Sequence, residues 1–211
     1  MQSKSFSITV KSKIKPFKKI IKVDADKSLS IRSFLISSIS HDVSSINNIL
    51  ESEDVKSTIQ ACKKLGVKIV RFKTGSYKVF GKGLGSLLAK KNLTIDCGNS
   101  GTLARLLIGI LSTTPDIEIN ITGDKSLKKR SMKKLINLMS EFGATFLPRG
   151  KYNFPLKLIS SEMPIGIHYK SGVSAQLKSA VILAGLNSYG NTEIIEKTLS
   201  RDHTENMLLN N

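Results

Sequence analysis

The chain of 211 residues has no tryptophan, two cysteines and 6% aromatic residues. Cys62 and Cys97 are too few for a disulfide scaffold and stand at no metal-ligand spacing, so a reduced, cytoplasmic protein without a metal is expected. No run nears the roughly 20 apolar residues of a membrane span. The opening stretch "MQSKSFSITVKSKIKP" lacks the unbroken apolar segment of a signal peptide; Phe6, Ile8 and Val10 alternate with polar residues and read as a strand. Acid is scarce too, 16 Asp and Glu against 33 Lys and Arg, for a net charge of +17. Such a balance suggests nucleic acid. However, the lysines are spread along the chain, only "KSKIKPFKKIIK" (11–22) is dense, and the few aromatics interleave with basic residues in no RNA-binding motif. Nucleic-acid binding is therefore not expected. With 40% apolar and 23% charged residues the chain reads as a folded protein of one or two domains.

Arginine is the rarer cation, with six in all: Arg32, Arg71, Arg105, Arg130, Arg149 and Arg201. Its planar fork suits carboxylate and phosphate. Arg71 and Arg149 read as surface residues. The other four fall in repeating positions.

Three segments join a small polar head to an almost wholly apolar helix: "KSLSIRSFLISSI" from Lys27, "NSGTLARLLIGIL" from Asn99 and "SAQLKSAVILAGL" from Ser174. Ser, Thr or Asn at such a start can cap free backbone N–H groups, and Ser28 and Ser174 are the expected caps. Each segment is followed by an amphipathic helix, in "SEDVKSTIQACKKLGV", "KKRSMKKLINLMSEFGA" and "SRDHTENMLLNN". In the second, Met132, Leu135, Ile136, Met139 and Phe142 share one face. Gly66 and Gly143 are the expected C-terminal stops, followed by strands in "KIVRFK" and "TFLPRG". The chain thus reads as three α/β repeats of inner helix, strand, outer helix and further strands, with the third truncated. Its inner helix starts suit anions, because free N–H groups and the helix dipole both favour negative charge there. Gly101 lets a ligand approach the backbone closely. Arg105, inside an apolar helix, is expected to brace the structure, as are Asp202 and His203, and Cys97 to be a small buried residue. These readings name no reaction.

Five blocks add a resemblance: "DKSLSIRSFLISSIS", "LESEDVKSTIQACKKLG", "LTIDCGNSGTLARLL", "GDKSLKKRSMKKLINLMSEFGA" and "SAQLKSAVILAGLNSYGNTEIIEKTLSRDHTENML". In order and spacing they resemble the 5-enolpyruvylshikimate-3-phosphate synthase family (3-phosphoshikimate 1-carboxyvinyltransferases), in wording more like the second bacterial class than the enteric type. The resemblance implies the inverse α/β enolpyruvyl transferase fold, built of βαβαββ units with helices inside and sheets outside. It also implies that residues 21–211 form an incomplete amino-terminal domain and that the strand in 1–20 belongs to the other domain. The implied reaction moves the enolpyruvyl group of phosphoenolpyruvate to the 5-hydroxyl of shikimate 3-phosphate and releases phosphate, on the way to chorismate and aromatic amino acids. No cofactor is implied, and the full-length member is expected to be a monomer.

By the same resemblance Lys27, Ser28 and Arg32 hold shikimate 3-phosphate, with Ser174, Ala175 and Gln176 around its phosphate and ring and Arg201 as a further contact. Gly101 and Arg130, with Lys27 and Gln176, match phosphoenolpyruvate contacts, and Thr102 lies in the turn of Gly101. Lys27, shared by both substrates, is the one catalytic position matched. The chain departs from the family in two respects. The family's second half, with the acid–base carboxylates and further phosphoenolpyruvate-binding residues, is absent, and Leu106 stands where the enteric type has proline. Gly101 matches glyphosate-sensitive members, whereas the second class often has alanine there. A UDP-N-acetylglucosamine enolpyruvyl transferase is the nearest alternative, but the Lys-Ser-x-Ser-x-x-Arg pattern is foreign to it and neither cysteine supplies its reactive loop thiol. A basic, non-catalytic binding module is the other. The isolated chain is expected to show little or no turnover, which a steady-state phosphate-release assay checks; a normal rate would refute it.

Overall fold

The structure is a computed structural model that describes residues 23–210, together with Thr9, Lys11, Lys18 and Ile20. The strand expected at Phe6, Ile8 and Val10 lies outside the described residues. The repeat is complete in the middle of the chain. There β4 (Thr94–Asp96), α3 (Gly101–Thr113) and β5 (Glu118–Thr122) form a parallel βαβ crossover. It continues through α4 (Lys125–Lys129) and α5 (Lys133–Glu141) to the hairpin β6 (Thr145–Leu147) and β7 (Leu156–Ile159), in strand order β4-β5-β7-β6. The first unit repeats the later part of this plan: α1 (Lys27–Ile39), β1 (Val43–Ile46), α2 (Glu53–Lys64), β2 (Lys68–Lys73) and β3 (Ser76–Phe80), in order β1-β3-β2. The third repeats the earlier part, with parallel β8 (His168–Ser171) and β9 (Glu193–Glu196) flanking α6 (Ala175–Gly185), and then α7 (His203–Leu209). The three inner helices start at Lys27, Gly101 and Ala175, each 74 residues after the last.

Inner and outer helices are told apart by burial. Twelve of the 13 residues of α3 are buried, leaving only Arg105 half-exposed, so the helix is enclosed all round, as its apolar sequence demands. The outer helix α5 buries one face, Leu135, Ile136, Leu138 and Met139, flanked by buried Met132 and Phe142. Strands β5 and β7 alternate between buried and more exposed residues, so the sheets lie outside and the helices inside. Outer helices α2 and α5 both stop just ahead of a glycine in the left-handed region, Gly66 at φ +89° and Gly143 at φ +95°.

Two local expectations are corrected. Ser28 is not the cap of α1. Asp26 is, its carboxylate accepting the Leu29 N–H at 2.7 Å, with Ser28 inside the first turn. The caps are thus Asp26, Ser100 and Ser174. Nor is "KKRSMKKLINLMSEFGA" one helix. It breaks at Arg130–Met132, where Arg130 is extended and the Met132 N–H goes to the Tyr152 carbonyl at 2.8 Å.

Helices α3 and α6 approach so closely that Gly109 faces the backbone of Ala180; a Cβ at 109 would lie 2.5 Å from its carbonyl oxygen. Alanine in a helix gains about 1 kcal/mol over glycine, but an overlap with backbone cannot be relieved by a rotamer, and overpacking costs about 1–3 kcal/mol. The overlap wins. Gly109→Ala is expected to destabilise the chain by about 1–2 kcal/mol in thermal melts, whereas Gly172→Ala, with open space around it, leaves the midpoint level or raised.

At the edge of the first unit, Glu51 ties its loop to the β2–β3 hairpin. It accepts from the Gly75 N–H at 2.8 Å, the Tyr77 hydroxyl at 2.6 Å and the Arg71 fork at 2.9 and 2.6 Å. These donors, the Gly75 N–H first, hold the carboxyl down at about 2 against an ordinary value of 4.5. A depressed carboxyl adds stability that is fully present above its unfolded value and is lost as pH falls through the folded one. The wild type should therefore lose thermal stability between pH 4.5 and 2, and Glu51→Gln should lose less over the same window.

Candidate active site

The N-termini of α1, α3 and α6 are linked side by side through polar residues. Arg32, in the second turn of α1 and 3% exposed, donates from Nε to the Thr204 hydroxyl of α7 at 2.8 Å. Its Nη1 reaches the Ser28 hydroxyl at 2.7 Å and carbonyl at 3.2 Å, and Nη2 the Ser179 hydroxyl of α6 at 3.1 Å. An arginine has five N–H donors, so one remains free. On the other side of α6, Gln176 accepts from Arg105 Nη1 at 2.9 Å and donates to the Thr102 hydroxyl at 2.9 Å. Arginine can only donate, which fixes the amide with its oxygen toward Arg105 and its nitrogen toward Thr102.

Gly101 opens α3 beneath two guanidiniums. A Cβ there would meet Arg105 Nη1 at 2.7 Å and Arg130 Nη1 at 3.1 Å. Arg130 arrives from the break between α4 and α5, held by the Asn99 amide oxygen at 2.8 Å, and Asn99 donates in turn to Asp124 at 2.8 Å. Asp124 is held below its ordinary carboxylate value, chiefly by the Leu127 N–H that it caps. A cleft of about 460 Å³ lies alongside, lined among others by Arg105, Lys133, Ser174 and Gln176. Another concavity of about 320 Å³, between α2 and β4 and lined by Glu53, Lys56 and Asp96, contains none of these arginines.

The electrostatics set Arg32 beside Arg201 and Arg105 beside Arg130. Among the described residues these four, like Arg149, make no ion pair with a carboxylate, whereas Arg71 is bound to Glu51 at 2.6 Å. Burial first, and then the neighbouring Arg201, lower the Arg32 guanidinium from its ordinary value. Burial and then Arg130 do the same to Arg105. Arg32 and Arg105 thus each sit in a concentration of positive charge and are held by hydrogen bonds to neutral groups.

The structure thus joins Ser28 to Arg32, sets Gln176 against Arg105 and Thr102 on the other side of α6, sets Arg130 over Gly101, and puts Arg201 near Arg32. Ser174 lines the cleft while its hydroxyl caps the Leu177 N–H at 3.4 Å, and Ala175 is buried in the turn it begins. Lys27 is turned instead to Asp54 of α2, at 2.9 Å, and is half-exposed. Arg105 braces through Gln176 and the Gly101 carbonyl as expected, yet also lines the cleft. Sequence reading missed Thr204 and Ser179, which hold Arg32, and Lys178, a buried cation whose one visible signal was a charge inside an apolar helix.

Known proteins resemble this chain in sequence and in fold. The sequence model of the family described as EPSP synthase (3-phosphoshikimate 1-carboxyvinyltransferase) matches residues 11–210. A 3-phosphoshikimate 1-carboxyvinyltransferase of Sulfurihydrogenibium sp. (strain YO3AOP1) is 42% identical over 201 residues, 95% of this chain and 46% of that protein. One from Ruegeria sp. (strain TM1040) is 40% identical over 194 residues, 92% of this chain and 43% of that protein. The solved EPSP synthase of Acinetobacter baumannii superposes with a TM-score of 0.83 at 36% identity, covering 90% of this chain and 42% of its own. The chain spans less than half the length of these relatives, with which it shares the inverse α/β fold. The chain belongs to the EPSP synthase family.

Proposed function

We propose that this chain supplies the shikimate 3-phosphate-binding side of an enolpyruvyl transfer from phosphoenolpyruvate, with release of phosphate. The observation that carries this reading is the set of four arginines, unpaired with carboxylate, at the neighbouring N-termini of buried helices. Both substrates are multiply anionic, and preorganised cationic donors in a partly desolvated site bind such groups strongly. In this reading Lys27, Ser28, Arg32 and Arg201 hold shikimate 3-phosphate with Ser174, Ala175 and Gln176. Arg130 and the open Gly101 turn, with Lys27 and Gln176, receive phosphoenolpyruvate.

The reaction adds the 5-hydroxyl of shikimate 3-phosphate, as it gives up its proton, to the central carbon of phosphoenolpyruvate while the methylene carbon takes a proton; phosphate then leaves as the new methyl group loses a proton and the double bond is restored. The chain's part is to hold both anions in register, and such positioning supplies much of the rate. The groups that move the protons are assigned to the family's other half. The buried, unpaired Cys62 and Cys97 fit the reducing cytoplasm that we propose for it.

Calorimetric titration with shikimate 3-phosphate is the test. Saturable binding that weakens with added salt is expected. Lys27→Ala should weaken it about 10–100-fold, the worth of a charged hydrogen bond, with little change in melting temperature because Lys27 is half-exposed in its pair with Asp54. Arg32→Ala should lower both affinity and stability, since it removes the donor that Thr204 and Ser179 accept from and leaves a buried cavity. Absence of shikimate 3-phosphate binding beside salt-sensitive RNA binding would overturn the reading in favour of a basic binding module. Saturable binding of UDP-N-acetylglucosamine instead would favour the related transferase.

A further inference from the structure

Lys178 is the fourth residue of α6 and 2% exposed, so an isolated ammonium there would be costly. Two carboxylates meet it: Glu196 at the end of β9 at 2.8 Å and Glu205 on α7 at 2.5 Å. Burial alone pushes the ammonium down, but the two carboxylates more than reverse this and raise it. Glu196 has a second task. Its other oxygen accepts from the Ser200 N–H at 3.1 Å and hydroxyl at 2.7 Å. The loop 197–202 that carries Arg201 is therefore pinned at one end by Ser200 through Glu196. At the other end α7 is pinned by Glu205 to Lys178 and by Thr204 to Arg32 and Ser179.

Arg201 itself is exposed and makes no ion pair among the described residues. It stands close enough to Arg32 for the two charges to repel. In the absence of an anion, repulsion and side-chain entropy both favour its swinging into water. Its neighbours Ser200 and Thr204, not its own side chain, are what is held.

We propose that Lys178 is a positioning residue: through Glu196 to Ser200, and through Glu205 to α7, it fixes the loop that keeps Arg201 beside Arg32 for an anionic group of the substrate. This rests on the reading of Arg201 as a substrate contact. A clamp that served stability alone would be indifferent to Arg201, since buried ion pairs are often replaceable without loss. That difference can be measured.

Hydrogen exchange without ligand tests the clamp. Lys178→Met and Ser200→Ala should each speed exchange of the 197–202 amides about tenfold while leaving α3 unchanged. Shikimate 3-phosphate titration tests the consequence. Each variant should weaken binding about tenfold, and neither should weaken it further in an Arg201→Ala background, because coupled residues are not additive. Unchanged loop exchange overturns the proposal, as do additive losses in that background. Ser200→Ala leaves the Lys178 triad intact, so it decides the matter even if Lys178→Met fails to fold. If the wild-type chain binds no shikimate 3-phosphate, the functional reading falls, and the exchange arm still decides whether Lys178 holds the loop.

Discussion

Two buried helices running side by side in the same direction are the constraint from which the site follows. At one end α3 and α6 are joined by Arg105–Gln176–Thr102; at the other the Thr113 hydroxyl donates to the Ala184 carbonyl at 3.1 Å and Asn187 donates to the Thr113 carbonyl. Between them Gly109 lets the backbones close. Parallel packing sets like dipole ends together, which is unfavourable by itself. An anion at the N-termini reverses the sign of that term. Apolar burial therefore does more than stabilise the chain: it forces the polar ends of α1, α3 and α6 onto one side, where positive potential accumulates. The 74-residue repeat makes this possible, because α3 and α6 each follow the first strand of a parallel pair, β4 and β8, in the same sense.

Much of this was legible in the sequence, for identifiable reasons. Helices apolar all round, such as "NSGTLARLLIGIL", must be buried, and the one-faced "MKKLINLMSEF" must lie outside them; that the sheets lie outside was implied by the family resemblance. Gly66 and Gly143 marked helix ends because left-handed backbone favours glycine. The break at Arg130 was not legible, since "KKRSMKKL" has good helix formers throughout. It comes from tertiary contact, the Tyr152 carbonyl capturing the Met132 N–H. The cap of α1 was misread because Ser28 and Asp26 both suit the role locally, and only the packing of Arg32 onto Ser28 separates them. Lys178 escaped for a related reason: its partners lie 18 and 27 residues away, and no local pattern links them.

The hydroxyls of "DKSLSIRSFLISSIS" acquire a purpose once Arg32 is seen in place. A buried guanidinium must be hydrogen-bonded, and a carboxylate would be its strongest partner. A carboxylate would also neutralise it and compete with any incoming anion. Ser28, Ser179 and Thr204 accept from it without cancelling its charge, and the Thr204 hydroxyl donates in turn to Ser179 at 2.7 Å, so the network closes on itself. Gln176 and Asn99 play the same neutral part for Arg105 and Arg130. Where a carboxylate does approach, it is spent elsewhere: Asp26 on the Leu29 N–H, Asp124 on the Leu127 N–H, Glu205 on Lys178. The acids are engaged by caps and by one buried lysine, and four guanidiniums keep their charge for an anion.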